Sequence, residues 1–375
     1  MAGKTDYHAL VIGASGLIGW SVVNQLLQPY PTPSPFSKVT ALVNRPLALE
    51  DTFWPKQTSS HPQLSLAAGV DLLCSDEEFE ERLREKVSDV DTITHVYYFV
   101  FKEVKDQKAE VEVNVGMMRR VVRAVKKASP SFQFFVYPGG TRGYGIYRPD
   151  GIFSAPLVEE LADQLPSDYA KTVSYPHYRA MLTEEYAIIG FTPNGSGYSL
   201  AGHWAVYLYA YKLVHGEGAE VPFPGVQAGY DALYSETSAT TLARAGIFAS
   251  LHPEQFKGRI FNVADSATPS SMRERWPQIA SWFGLVGVAP SSSASVNDPK
   301  PSDFIQAHHG RLQEAGAKGV AIWNASQLDS YGYWLTFDRQ LSLKRLRDAG
   351  FDEERRPEDG WWEAFDLFKK AGMIG

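Results

Sequence analysis

The chain has 375 residues, 44% hydrophobic and 21% charged, the balance of a globular protein with one large core or two fused ones. A net charge of −7 gives no support for a general electrostatic grip on nucleic acid, and a single cysteine, Cys74, excludes an internal disulfide framework and suits a reducing compartment. With no basic leader and no apolar run of membrane-spanning length, the expectation is a cytoplasmic protein that engages neither membrane nor nucleic acid.

Residues 8–12 form a short apolar run closed by Gly13, and Ile18, Val22 and Leu26 then share one face of a helix over residues 16–27. Prolines between Pro29 and Pro35 break that pattern. A second strand is expected over residues 39–43 and a third over residues 64–70. Ser75 and Glu78 have capping-box spacing, and Phe79, Leu83 and Val87 recur every fourth residue, so a helix begins there. Residues 93–101 are nearly continuous in β-branched and aromatic side chains, the pattern of a strand covered on both faces. Val111, Val115, Met118, Val122 and Val125 mark the next helix, and residues 132–137 a further strand that ends at Pro138-Gly139-Gly140.

Parallel strands need crossovers, and these elements alternate, so the fold expected is α/β: a doubly wound, parallel Rossmann-type sheet. Further along, residues 259–264 read as one more strand. Ser271 with Glu274 reads as the cap of a helix carrying Trp276, Ile279 and Phe283. Residues 290–301, rich in serine and proline, suit an exposed loop. Helix signals follow over residues 342–349 and 361–370, the latter with Trp362, Phe365 and Phe368 on one face as core.

Gly13-Ala14-Ser15-Gly16-Leu17-Ile18-Gly19 lies between the first strand and the first helix, the context in which a glycine pattern signals a dinucleotide. Gly13 allows the tight turn, Gly16 lets the backbone approach a pyrophosphate, and Gly19 lets the helix lie close to the sheet. Free amides at the helix start then face the phosphates. The second strand ends in Val43-Asn44-Arg45-Pro46, with no carboxylate for a free ribose 2′-hydroxyl, whereas Arg45 can pair with a 2′-phosphate. The cofactor expected is therefore NADPH. The division expected is an NADP-binding domain over residues 1–190, with part of 255–270 returning to it, and a smaller, mostly helical substrate lobe over 191–375.

Ordered matches along nearly the whole chain carry a resemblance: Gly13-Ala-Ser-Gly-Leu-Ile-Gly19, Asn44-Arg45-Pro46, Gly69-Val-Asp-Leu72, Thr94-His-Val-Tyr-Tyr98, Asn114-Val-Gly-Met117, Gly190-Phe-Thr-Pro-Asn-Gly195, Val221-Pro-Phe-Pro-Gly225, Phe261-Asn-Val-Ala-Asp265 and Tyr331-Gly-Tyr-Trp-Leu-Thr336. The chain resembles the progesterone 5β-reductase/iridoid synthase-like (PRISE-like) family of extended short-chain dehydrogenases/reductases, in particular its fungal branch. The resemblance implies NADPH on the glycine loop, including Ser15, Leu17 and Ile18, with Asn44 and Arg45 near the adenosine phosphate and Asp71 and Leu72 beside the adenine. Phe99 and Val100 would line the nicotinamide approach. It also implies hydride transfer to a conjugated enone or a carbonyl, with a tyrosine and a lysine near the substrate oxygen.

Hydride addition builds negative charge on oxygen, which a hydroxyl donor and a nearby cation stabilise. Where the family has its lysine this chain reads Gly140-Thr141-Arg142, so Arg142 keeps the charge with a different reach. The family's tyrosine segment becomes Ser174-Tyr175-Pro176-His177-Tyr178-Arg179. Tyr178 fits a simple alignment, and Tyr175 with Arg179 echoes a Tyr-x-x-x-Lys pattern; both stay open. Only twelve residues separate Tyr178 from Gly190, too few for the family's helix and strand, with residues 185–191 as a candidate truncated replacement. No metal-ligand spacing and no Gly-x-Ser-x-Gly elbow is present: His308-His309 reads as surface and residues 194–197 as a turn or phosphate-side loop. Two functions follow as expectations. The first is an NADPH-dependent reductase of a small apolar enone or ketone in secondary metabolism, monomeric or homodimeric. The second is a dinucleotide-binding protein without hydride transfer, acting as isomerase, cyclase or NADPH-responsive regulator.

Overall fold

Five parallel strands make the central sheet: β1 (Tyr7–Ile12), β2 (Phe36–Val43), β3 (Gln63–Ala68), β4 (His95–Tyr98) and β5 (Phe134–Val136), in the order β3-β2-β1-β4-β5. The computed structural model describes residues 6–28, 30–58, 61–148, 150–181, 192, 199–295, 298–319 and 325–375. Ile12 is level with Leu42 on one side and Tyr98 on the other, so the strands' carboxyl ends share one edge. The strand order reverses between β1 and β4, and the crevice at such a reversal is where α/β sheets take ligands.

The doubly wound character is written in β1 itself. Ala9 and Val11 point into one apolar cluster with α1 (Leu17–Leu27) and the Ala239–Leu251 helix. Leu10 and Ile12 point into another with α2 (Asp76–Lys86) and α3 (Gln107–Ala128). Period-two alternation therefore feeds both faces, and residues 9–12 are fully buried. The Ala239–Leu251 helix also ties itself to the sheet through a 2.8 Å hydrogen bond between the Tyr97 and Ser250 hydroxyls.

Local signals explain several boundaries. The Ser75 side chain accepts from the Glu78 amide at 3.1 Å and starts α2, and Asp106 does the same for Ala109 at 2.8 Å to start α3. β4 is shorter than its apolar run predicts: it spans only His95–Tyr98, although the Phe99 amide still donates to the Ile12 carbonyl at 2.9 Å.

Three expectations are corrected. Residues 259–264 form no strand: their polar groups are clamped one at a time, the Asn262 amide to Glu159 at 2.8 Å and the Val263 carbonyl to the Thr237 hydroxyl at 2.8 Å. Ser271 is the N-cap residue of the Met272–Trp282 helix but its side chain makes no cap hydrogen bond; Glu274 is instead engaged by the Ser270 hydroxyl at 3.1 Å. In the Pro357–Lys370 helix the buried stripe is Trp361, Phe365 and Phe368, with Trp362 at its margin. Trp361 stacks on Trp204 (5.4 Å, 13°), and Trp276 meets Trp204 edge-on at 5.2 Å, so these aromatics are core, as expected. Residues 185–191 and 194–197 lie outside the described residues. Among the described residues no helix is long and apolar enough to cross a membrane.

At the opposite, amino-terminal edge of the sheet, His8 is 3% exposed and its ring nitrogens meet the Thr92 and Thr40 hydroxyls, each at 2.8 Å. His95 is buried beside Tyr7 and Phe36. Burial disfavours the charged ring and lowers both imidazoles to about 4. Unfolded, they titrate near 6.5, so the unfolded chain binds more protons between those values. Stability is thus expected to be level above about pH 6.5 and to fall between about 6.5 and 4, by at most about 1.4 kcal/mol per pH unit per histidine. Urea midpoints taken across that range test this, and a shallower slope is expected in His95→Asn; a midpoint unchanged from pH 7 to 5 would refute it.

Candidate active site

The first β–α turn is built on backbone contacts. Gly13 has φ +79°, and its amide and that of Ala14 both donate to the Leu42 carbonyl, at 3.1 and 3.2 Å. A Cβ at Gly13 would lie 2.5 Å from the Phe99 carbonyl, and one at Gly16 would lie 3.1 Å from the Gly13 carbonyl. A Cβ at Gly19 would run into that same carbonyl. The close approach served by Gly19 is therefore between the first helical turn and the glycine turn itself. Gly16 is the N-cap of α1, with no side-chain cap and no acidic residue in the first turn, which leaves the opening amides and the positive helix end available to an anion. This cradle fits a dinucleotide pyrophosphate; Ser15 and Leu17 are half-buried in the turn, and Ile18 is buried in the core.

The neighbouring strand ends supply the other expected positions. Asn44 and Arg45 follow β2 and are exposed, and Arg45 has no partner among the described residues. After β3, the Asp71 carboxylate accepts from the Leu73 amide at 3.0 Å, and Leu72 is buried. Phe99 and Val100 follow β4, half-buried against Gly13. The loop after them is held by Asn114, fully buried in α3, which accepts from the Lys102 amide and donates to the Lys102 carbonyl, both at 2.8 Å.

Arg142 lies in a 3₁₀ turn, Thr141–Tyr144, directly after β5. Its guanidinium forms a 2.8 Å ion pair with Glu110, a buried residue in the first turn of α3. Another nitrogen donates to the Thr172 carbonyl at 3.4 Å, and the guanidinium lies 5.3 Å over the Tyr147 ring. Nε is buried with no hydrogen-bond partner among the described residues. Burial opposes the charge while Glu110 restores it, and the net effect raises the Arg142 pKa. The turn is anchored from below by the Tyr144 hydroxyl, which donates to Asn262 at 2.8 Å.

The Tyr175–Met181 helix separates the two candidate tyrosines. The Tyr175 hydroxyl sits against Gly140, where any Cβ would strike it, and its ring is within electrostatic range of Arg142. Tyr178 is 3% exposed and turned into the α3-side core, edge-on to Tyr137 at 5.7 Å. Burial pushes its hydroxyl well above the ordinary phenol range. His177 is exposed. The structure thus brings Tyr175, Arg142, Gly140 and the β4 loop together and directs Tyr178 inward.

Sequence reasoning missed three residues here. Glu110 was hidden in an otherwise ordinary helix start, although Glu110 and Asn114 at i, i+4 give a polar pair on an apolar face. Tyr147 and Trp334 remain 56% and 36% exposed yet meet edge-on at 5.3 Å, an aromatic wall beside Arg142 that joins segments 187 residues apart. No metal-holding cluster occurs among the described residues.

Comparison with known proteins agrees with this architecture. The PRISE-like Rossmann-fold domain matches residues 9–375. The chain is 29% identical to the short chain dehydrogenase ausT of Aspergillus calidoustus, over 100% of this chain and 96% of that protein. It is 25% identical to a 3-oxo-Δ4,5-steroid 5β-reductase of Arabidopsis thaliana, over 98% and 84%. The solved structure of a GDP-L-fucose synthetase from Naegleria fowleri shares the fold at TM-score 0.61 and 12% identity, covering 99% and 94%.

The packing sets a pair of opposed outcomes. In a helix Ala is favoured over Gly by about 1 kcal/mol. Gly116 in α3 has nothing within 4 Å of a built Cβ, so Gly116→Ala is expected to stabilise by roughly 0.5–1 kcal/mol. Gly19→Ala has the same propensity gain but meets the immovable Gly13 carbonyl, so it is expected to destabilise and to weaken dinucleotide binding. Chemical unfolding and cofactor titration on the two variants check this; equal stabilisation of both would refute the packing argument.

Proposed function

The chain belongs to the PRISE-like Rossmann-fold family, and from that premise we propose that it is an NADPH-dependent reductase of an apolar enone or ketone. The observation that carries the reading is the convergence of a phenol and a guanidinium, Tyr175 and Arg142, beside the β4 loop at the sheet's carboxyl edge.

In this reading the α1 amides hold the pyrophosphate, Asn44 and Arg45 meet the 2′-phosphate, Asp71 and Leu72 flank the adenine, and Phe99 and Val100 border the nicotinamide. The bound cofactor supplies the hydride. Tyr175 donates a hydrogen bond, and then its proton, to the substrate oxygen, while Arg142 adds a second hydrogen bond to it. Tyr147 and Trp334 shield the apolar body of the substrate from water. Tyr178 supports Tyr175 by edge-on packing at 6.2 Å. The names of the fungal dehydrogenase and the plant steroid reductase support the reaction class.

One observation favours a second reading, a dinucleotide-binding isomerase, cyclase or NADPH-responsive regulator: Arg142 is already paired with Glu110 and is a weaker oxyanion partner than a lone cation. The two readings separate on a panel of cyclic enones and ketones followed at the nicotinamide absorbance, where cofactor binding without oxidation supports the second.

Under the reductase reading, Tyr175→Phe is expected to lower kcat by about 10²–10⁴-fold with NADPH affinity intact. Tyr178→Phe is expected to change stability more than rate, and the reverse order of kinetic effects would overturn the choice of tyrosine. Arg45→Ala is expected to weaken NADPH binding by about tenfold or more while leaving NADH unchanged, since only the phosphate loses a charge-assisted bond. Calorimetric titration with both nucleotides decides it; equal losses would remove the phosphate assignment.

A further inference from the structure

Two nitrogens of the Arg142 guanidinium are committed, one to Glu110 at 2.8 Å and one to the Thr172 carbonyl at 3.4 Å, and the third, Nε, is buried without a partner among the described residues. A buried donor left unpaired is costly unless something arrives to take it. The carboxylate that fixes this arrangement is itself well supported. Glu110 lies in the first turn of α3, where the helix end favours negative charge, and its second oxygen accepts from the Val104 amide at 3.4 Å. The pair is only 18% and 7% exposed, so solvent screens it little.

The charge count around this donor is unusual for a site that handles a developing oxyanion. Among the described residues Arg142 contributes +1 and Glu110 −1, and on the exposed loop beside them Glu103, close enough to act on Tyr147, adds −1 and Lys102 +1. An uncharged carbonyl needs only the hydrogen bonds of Nε and of Tyr175. A substrate carboxylate at the same spot would face Glu110 across a few ångströms of poorly screened space, with Arg142 already neutralised.

We infer that Glu110 is the specificity-determining and positioning residue of this site: it aims the Arg142 Nε–H at a substrate oxygen and, by cancelling the guanidinium charge, restricts the site to uncharged carbonyl compounds and rejects carboxylates. The inference rests on the reading of Arg142 and Tyr175 as the substrate-oxygen site.

Cinnamaldehyde and cinnamate form a matched pair, with the same ring and chain and different ends, and their binding to the NADP⁺-loaded full chain is measured by calorimetry. The wild type is expected to bind the aldehyde in preference. Glu110→Gln, which keeps the shape and removes the charge, is expected to raise cinnamate affinity by about tenfold or more, as the loss of one close like-charge contact implies. Aldehyde affinity should change by less than about threefold, because the neutral donors remain. The Glu110→Gln/Arg142→Gln double variant is expected to lose the cinnamate gain, which a purely structural role for Glu110 does not produce. Should Glu110→Gln fold poorly, the exposed Glu103→Gln is expected to shift the same ratio in the same direction by roughly twofold.

An unchanged aldehyde-to-carboxylate ratio in Glu110→Gln overturns the inference, as does a cinnamate gain that survives removal of Arg142. Reduction of the aldehyde is followed in parallel with NADPH. A cinnamate gain without any hydride transfer in an enone and ketone panel sinks the reductase reading and leaves the role of Glu110 standing; turnover with an unchanged ratio does the reverse. Failure of both probes to bind any variant overturns both.

Discussion

The contact between the Gly13 carbonyl and the Cα of Gly19 sets the geometry on which the site depends. It lets the first helix begin directly over the sheet's carboxyl edge, with its uncapped amides facing the crevice at the strand-order reversal. The same turn presses on the Phe99 carbonyl, so the path of the chain leaving β4 is settled by the path of the chain leaving β1. Any side chain at Gly13 or Gly19 would separate these three segments. The glycines are thus a packing requirement of the protein itself.

Around that turn, polar groups buried in α3 determine where the loop after β4 and Arg142 stand. Asn114 holds the backbone of Lys102 on both sides, and one turn earlier Glu110 holds Arg142. Arg142 in turn bonds the Thr172 carbonyl, three residues before Tyr175. A single helix face therefore braces the β4 loop, the turn after β5 and the approach to the tyrosine helix. An arginine suits this role where a lysine would not, because its planar fork can bond two elements at once and still carry a third donor.

The tyrosine pair shows how packing sorts residues that pattern alone leaves equivalent. Three positions apart on one helix, Tyr175 and Tyr178 stand about 60° apart around the axis. The inner one meets Tyr137 and the apolar face of α3, whereas the outer one finds room only because residue 140 is glycine. Burial raises the Tyr178 pKa and removes its side chain from solvent.

Much of the architecture was legible in the amino-acid order because its signals are local. Glycine spacing, the Ser75 cap and period-two burial in β1 each act within a few residues, so the doubly wound sheet and its tight glycine turn could be read without coordinates. The rest depended on partners distant in the chain. Residues 259–264 carry a strand's composition yet are claimed by Glu159 and Thr237, and Tyr147 acquires meaning only when Trp334 closes beside it. The pairing of Glu110 with Arg142 spans 32 residues and two elements, and no periodicity announces it. Hydrophobic spacing encodes which side of an element faces inward; which buried charge meets which is decided only when those faces are brought together.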